Sequence, residues 1–199
     1  MHISEGILSG SVLLAGWAGT SAGIAVGLKR TDTSKIVRTA LLSSAFFLAS
    51  LVNVRIGPGS THLSLLAPMG LVLGWGVFPA VLTALLLQAV LFHFGGLLVL
   101  GVNTFIMAGS ALSVYILFGR VVRESANRYL VAGVSFLAGV LAVLLGAGLA
   151  GLSLGMTDSN FLNAAKLLVV AHIPVSVIEG VVTAFMILWL KRAAPEFLS

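Results

Sequence analysis

Six long apolar stretches leave this chain few ways to fold. They run from Ile7 to Leu28, Ile36 to Val54, Leu63 to Phe94, Leu97 to Phe118, Tyr129 to Leu154 and Phe161 to Leu190. All are at or beyond the roughly 20 residues that an α-helix needs to cross a hydrocarbon layer about 30 Å thick. Charged residues make up only 9% of the chain and mean hydropathy is +1.14, far outside the range of a soluble domain. The 23 glycines fall within apolar runs, where small residues let helix backbones approach, and this suits a helical bundle better than a barrel of alternating strands. The expectation is an all-α polytopic membrane protein with one domain over residues 1–199, made of an N-terminal segment at 1–6 and a helical bundle at 7–190. On the first apolar segment Gly19, Gly23 and Gly27 recur every four residues, and Ala45 and Ala49 do so on the second. Packing within the bundle is the favoured reading of both faces.

The third stretch decides the topology. As one helix its 32 residues would extend about 48 Å, well beyond the hydrocarbon layer. A split at "GWGVFP", Gly74 to Pro79, turns it into two short spans and gives seven helices. Lys29, Arg30, Lys35, Arg38, Arg120, Arg123, Arg128, Lys191 and Arg192 then share one face, leaving Arg55 and Lys166 on the other. With six helices the bias largely disappears. Because cytoplasmic loops collect Lys and Arg, about seven transmembrane helices are expected, with an extracytoplasmic N-terminus and a cytoplasmic C-terminus. The same reading accounts for a pI near 10.3 without nucleic acid, since the basic residues lie scattered between helices. No positive charge precedes the first apolar stretch, so no cleaved signal is expected and the mature chain is expected to begin at Met1.

Cysteine is absent, so any bound metal must be held by nitrogen or oxygen. In the seven-helix arrangement all four histidines, His2, His62, His93 and His172, fall on or near the outer side. Gln88 and Asn103 lie about 10 Å and 9 Å below the Gly95 to Leu97 turn, and Asn53 closes the second helix on that side. Polar groups at membrane depth are costly unless they face a cavity or one another, so an outward-opening polar pocket is inferred. Pro174 frees the carbonyl of Val170 close to His172. Glu179 sits two turns further in, on the face of His172, and a structural hydrogen bond is favoured for it over direct metal ligation.

His2 offers a specific chemistry. A free terminal amine, the amide nitrogen between residues 1 and 2, and Nδ1 of His2 close a five-membered and then a six-membered chelate ring on one metal. An imidazole from elsewhere fills the fourth corner of the square, a geometry that favours Ni(II) or Cu(II). Taken alone, a histidine at position 2 is more often chance than ligand.

The segments "MHISEG", "VRIGPGSTHL", "LLLQAVLFHFGGLLVLGVNTFIMAG" and "AHIPVSVIEGVVT" change that balance. Together they resemble the CbiM/NikM family, the substrate-capture membrane components of energy-coupling factor (ECF) transporters for cobalt and nickel. The run Q-A-x-L-F-x-x-G-G-L-x-x-L-G-x-N is the specific part. The resemblance implies seven helices, an N-terminus inserted into the bundle from outside, and metal held by the Met1 amine, the His2 backbone nitrogen, the His2 ring and the loop histidine His62. It also implies a prokaryotic inner (plasma) membrane location and partners: a transmembrane coupling protein and cytoplasmic ATPases, with a small accessory membrane subunit as a further candidate. The chain has no P-loop sequence, as expected of a binding subunit that borrows its energy.

Ser4 departs from the usual family pattern, as do "GPGS" before His62, Ile106 in place of a second Asn, and the short loop "GMTDSN". None removes an implied ligand, but they blur the choice between nickel and cobalt. Asn103 and His172 read as groups that orient the ligand-bearing loops, with Glu5, Asn53, Gln88, His93 and Glu179 as further supporting residues. Glu5 either bonds the folded-in terminus or stands in solvent near the first helix start, and His93 is open to three readings, a fifth ligand, a lid contact or an interfacial residue, of which the last is favoured.

The expected function is therefore capture and import of Ni2+ or Co2+ as the substrate-specific component of an ECF-type ABC transporter, with no cofactor and no enzymatic activity of its own. One alternative is an intramembrane metalloenzyme built on His172 and Glu179, which lacks a second histidine one turn away and any HExxH motif. The other is a passive metal channel or a structural membrane protein.

Overall fold

The computed structural model describes residues 3–32, 35–51, 53–56 and 59–198, and for 53–56 and 59–62 the backbone alone. The order is α1 (Gly10–Arg30), α2 (Ile36–Leu51), β1 (Asn53–Ile56), β2 (Gly59–His62), α3 (Leu66–Leu73), α4 (Val77–Phe92), α5 (Leu100–Glu124), α6 (Arg128–Thr157) and α7 (Leu162–Ala193). The helices follow the apolar stretches closely because length and hydropathy dictate both. Five of these stretches are long and apolar enough to cross a membrane: α1, the combined Leu66–Phe92 segment, α5, α6 and the Ser159–Ala193 segment that includes α7. The 16-residue α2 is shorter.

This corrects the expectation of seven spanning helices. A single 3-10 turn at Gly74–Gly76 interrupts Leu66–Phe92 where the glycines and proline suggested a break. The eight-residue α3 on one side of it extends only about 12 Å, too little for a span. The chain nonetheless reverses there. Gly70 lies against Ala111 and Gly74 against Tyr115, so α3 runs in the direction of α5. By contrast α4 starts beside the last turn of α1, at Gly27, and its C-terminal end leads to Gly95–Leu98 beside Glu5 and Trp17 at the other end. The first element of the pair is a half-crossing.

The bundle also holds a hairpin that a purely helical reading omits. Strands β1 and β2 pair antiparallel with Asn53 opposite His62 and Ile56 opposite Gly59.

Helix packing depends on missing side chains at two crossings. A Cβ on Gly70 would run into the Ala111 carbonyl of α5, and one on Gly139 of α6 would stand 2.6 Å from the Glu179 carbonyl oxygen and from Gly180 Cα of α7. The α1 glycines accept Phe105, Phe78 and Trp75 from within the bundle, in agreement with the packing reading.

Two ends result. One gathers the C-termini of α1, α5 and α7 with the starts of α2 and α6, and with them most of the basic residues. Lys191 Nζ donates there to the carbonyls of Val122 (2.5 Å) and Ser125 (2.6 Å) at the end of α5. The opposite end holds residues 3–9, the hairpin, the α4–α5 connection and the α6–α7 connection.

Candidate functional site

The N-terminal segment enters this opposite end and is fastened by its backbone. The N–H of Ile3 donates to Asn103 Oδ1 (3.1 Å), and Asn103 Nδ2 donates back to the Ile3 carbonyl (3.0 Å). An amide side chain has one acceptor oxygen and a donor NH2, so it is the side-chain type that can satisfy both backbone groups of one residue. Asn103 is buried in the first turn of α5, and Ile3 is only 4% exposed among Val99, Val102 and Ile106. The polar pocket expected beneath the terminus is thus filled at Asn103 by residue 3.

Glu5 fixes the next stretch. Its N–H donates to the Gly95 carbonyl (3.1 Å), and its Oε1 accepts from the Leu98 N–H (2.8 Å), one of the amides left open ahead of α5. Glu5 is exposed to solvent as well as bonded, so the structure shows features of both readings. Ser9 closes the entry by donating its N–H to Thr157 Oγ1 (3.2 Å) at the end of α6.

A second clamp holds the segment that follows the hairpin. Glu179 on α7 is 1% exposed and accepts the N–H groups of Ser64 and Leu65, the latter at 3.2 Å. Leu65 has φ +49°, a left-handed conformation that costs a branched residue about 1–2 kcal/mol. The carboxylate holds both amides of this strained turn, two and three residues after His62. A buried carboxylate needs donors, and the backbone supplies them here.

The other expected residues divide clearly. Gln88, buried on α4, donates through Nε2 to Ser50 Oγ of α2, and its Oε1 has no partner among the described residues. His172 is 5% exposed, its Nδ1 lies 2.8 Å from the Leu168 carbonyl one turn back, and its Nε2 has no partner among the described residues. If the bond to Leu168 is made by an Nδ1–H, Nε2 is the neutral acceptor. His93 is exposed and ends α4 with φ +52°. Met1 and His2 lie outside the described residues, and the side chains of Asn53 and His62 do as well; for these two the structure gives the backbone register alone. Among the described residues no three His, Asp or Glu side chains cluster as a metal site. Ile3, Ser50, Ser64, Leu65 and Thr157 were not singled out from the sequence. Ile3 carried one readable signal, an isolated apolar residue ahead of the polar Ser4, Glu5 and Gly6.

The arrangement ties down two backbone segments, one directly after residue 2 and one directly after His62, by amide and carboxylate side chains from α5 and α7. Such a framework belongs to a multi-pass membrane protein that holds something at one end of a helical bundle. Known proteins agree. The model of the family described as the cobalt uptake substrate-specific transmembrane region matches residues 2–197. A Haemophilus influenzae protein assigned to metal transport is 41% identical over 100% of this chain and 97% of its own length. The fused nickel transport protein NikMN of Rhodobacter capsulatus is 30% identical over 100% of this chain and 64% of its own length, and the cobalt transport protein CbiM of Kyrpidia tusciae is 32% identical over 83% and 70%. Two crystal structures of a transition metal transporter, one of them truncated, superpose with TM-scores of 0.83 and 0.81, each at 25% identity and over 96% of this chain. The fold and its framework therefore define a component of a membrane transporter for transition-metal uptake. The chain belongs to the CbiM family of cobalt uptake substrate-specific transmembrane proteins.

Proposed function

We propose that this chain is the substrate-capture subunit of an ECF-type importer that takes Ni2+ or Co2+ through four nitrogens: the Met1 amine, the Met1–His2 amide, the His2 ring and the His62 ring. The observation that carries this reading is the pair of bonds between Asn103 and Ile3. They fix the peptide immediately after His2 at the buried end of α5, and so restrict where a chelate formed by residues 1 and 2 can sit. Glu179 supports it by holding the amides that follow His62. Four nitrogen donors in a plane suit Ni(II), and an N-terminal amine that must be free makes the site intolerant of any preceding residue.

In this reading α3 enters from the hairpin side as a half-crossing and α4 returns to the same end. The histidine end faces outward and the basic end faces the cytoplasm of a prokaryotic cell, as cytoplasmic enrichment of Lys and Arg requires. Transport is driven by a membrane coupling protein and cytoplasmic ATPases. The metal is cargo, and the subunit needs no cofactor. The relatives named for nickel and for cobalt support a transition-metal cargo and leave both metals as candidates.

Isothermal titration of the protein with its native N-terminus against Ni2+ and Co2+ tests the proposal. Tight binding is expected, with a yellow diamagnetic Ni(II) complex. Adding one residue before Met1, or replacing His2 or His62 by Ala, is expected to abolish binding while circular dichroism stays unchanged. Unaltered affinity in all three variants overturns the ligand set.

A further inference from the structure

The basic end carries a cleft that metal capture does not use. Arg30 of α1, Lys35, Arg38 of α2 and Arg123 of α5 line a largely polar cavity of about 210 Å³ above the Gly74–Gly76 turn. No carboxylate among the described residues lines it. Glu124, next to Arg123, is engaged by Arg120 at 3.1 Å. Three of the guanidinium groups rest on aromatic rings instead: Arg30 on Trp75 (5.3 Å), Arg123 on Tyr115 (4.9 Å) and Arg38 on Phe197 (5.3 Å). A ring stabilises the cation and orients it while consuming none of its N–H donors, which stay free for an anion.

This cleft continues into an apolar groove. Between α2 and α4 a cavity of about 610 Å³ is lined by residues that include Ala40, Ser44, Leu48 and Leu87, and it shares Thr31 and Thr39 with the cationic cleft. Leu48 and Leu87 are exposed, so the groove opens sideways on the apolar outer surface of the bundle. A donor-rich cleft at the membrane boundary, continuous with an apolar channel running into the membrane, has the two chemistries of one amphipathic molecule. A free phosphate would use only the first, and an uncharged lipid only the second.

We infer that this paired cleft and groove is a binding site for one anionic glycerophospholipid, its phosphate among Arg30, Lys35, Arg38 and Arg123 and one acyl chain between α2 and α4. Clustered basic residues at a membrane boundary attract anionic headgroups, and each buried methylene adds to the retention. The bound lipid would splint α2, which is shorter than the other crossing stretches, to α4.

Native mass spectrometry of the full chain in detergent, titrated with dioleoyl phosphatidylglycerol or dioleoyl phosphatidylcholine, tests this. The expected result is one retained phosphatidylglycerol, favoured about tenfold or more over phosphatidylcholine. The double variant Arg38→Gln, Arg123→Gln is expected to remove the preference. Ser44→Trp, which fills the groove from its exposed side and leaves the cations alone, is expected to lose the retained lipid as well. Should the double variant fail to fold, Lys35→Gln at an exposed position reads the same contact with a smaller loss. Equal retention of both lipids overturns the inference, as does retention unaffected by any variant. Displacement by inorganic phosphate together with an unaltered Ser44→Trp variant overturns it too, because the site then recognises an anion only.

Discussion

The two ends of this bundle solve the problem of polar groups beside a membrane in opposite ways. At the histidine end several polar side chains are buried, and two of them, Asn103 and Glu179, hold backbone: Asn103 takes both groups of Ile3, and Glu179 takes the amides of Ser64 and Leu65. At the basic end the cations stay near water and lean on aromatic rings. Buried hydrogen bonds position chain segments with little tolerance, because an unmade partner costs its full desolvation. Exposed cations position little, but they remain available. The first arrangement suits a site that must fit one small ion, and the second suits a surface that must accept a negatively charged neighbour.

The contrast can be broken most severely at Glu179. Replacing it by Ala leaves two buried amides unpaired, at about 1–3 kcal/mol each, and should lower the unfolding temperature by many degrees in a thermal melt. Glu179→Gln, which keeps a carbonyl acceptor, should recover a large part of that loss; equal damage by both would mean that the amide bonds are not the source.

Asn103→Leu comes next. It removes two hydrogen bonds worth about 1 kcal/mol each, so metal affinity should fall by roughly 30-fold in titration calorimetry. The helix content should be retained, and an undiminished affinity would show that the clamp on Ile3 does not position the terminus.

Gly139→Ala separates helix packing from site chemistry. Its Cβ would stand 2.6 Å from backbone of α7 at Glu179 and Gly180, and overpacking of this kind typically costs about 1–3 kcal/mol. The melt should shift downward, and the Ser64 and Leu65 amides should exchange hydrogen faster.

Arg120→Ala should do least. The pair with Glu124 is 83% and 65% exposed on one helix face, and such pairs contribute about 0.3–0.5 kcal/mol. A melt displaced by more than a degree or two would show that the basic end is more constrained than its exposure suggests.

Much of this was legible in the sequence because hydropathy and length act locally. The helix positions follow directly from the apolar stretches, and the break at Gly74 follows from Gly and Pro chemistry. The span count did not follow, since only tertiary packing shows that α3 stops after eight residues, halfway along α5. The hairpin was also missed. "NVRI" and "GSTH" are four-residue strands around Gly57 and Pro58, too short for alternation to stand out, and the segment reads as loop. Among the site residues, Asn103 and Glu179 were recognisable as polar groups too costly to leave unpaired at depth. Their partners were not, because a backbone amide has no sequence signature: nothing in the letters Ile3, Ser64 or Leu65 announces which side chain will bond to it.

The position of Lys191 has a mechanical consequence. It ties the end of α7 to the carbonyls of Val122 and Ser125, while Glu179, twelve residues or about 18 Å back along the same helix, ties the turn after the hairpin. One rod is pinned at two heights to two different parts of the chain. A tilt of α7 about its lower pin therefore displaces the upper one, and the strained turn at Leu65 moves with it. α7 thus carries, on one helix, a contact to the end of α5 and a contact to the turn that follows the hairpin.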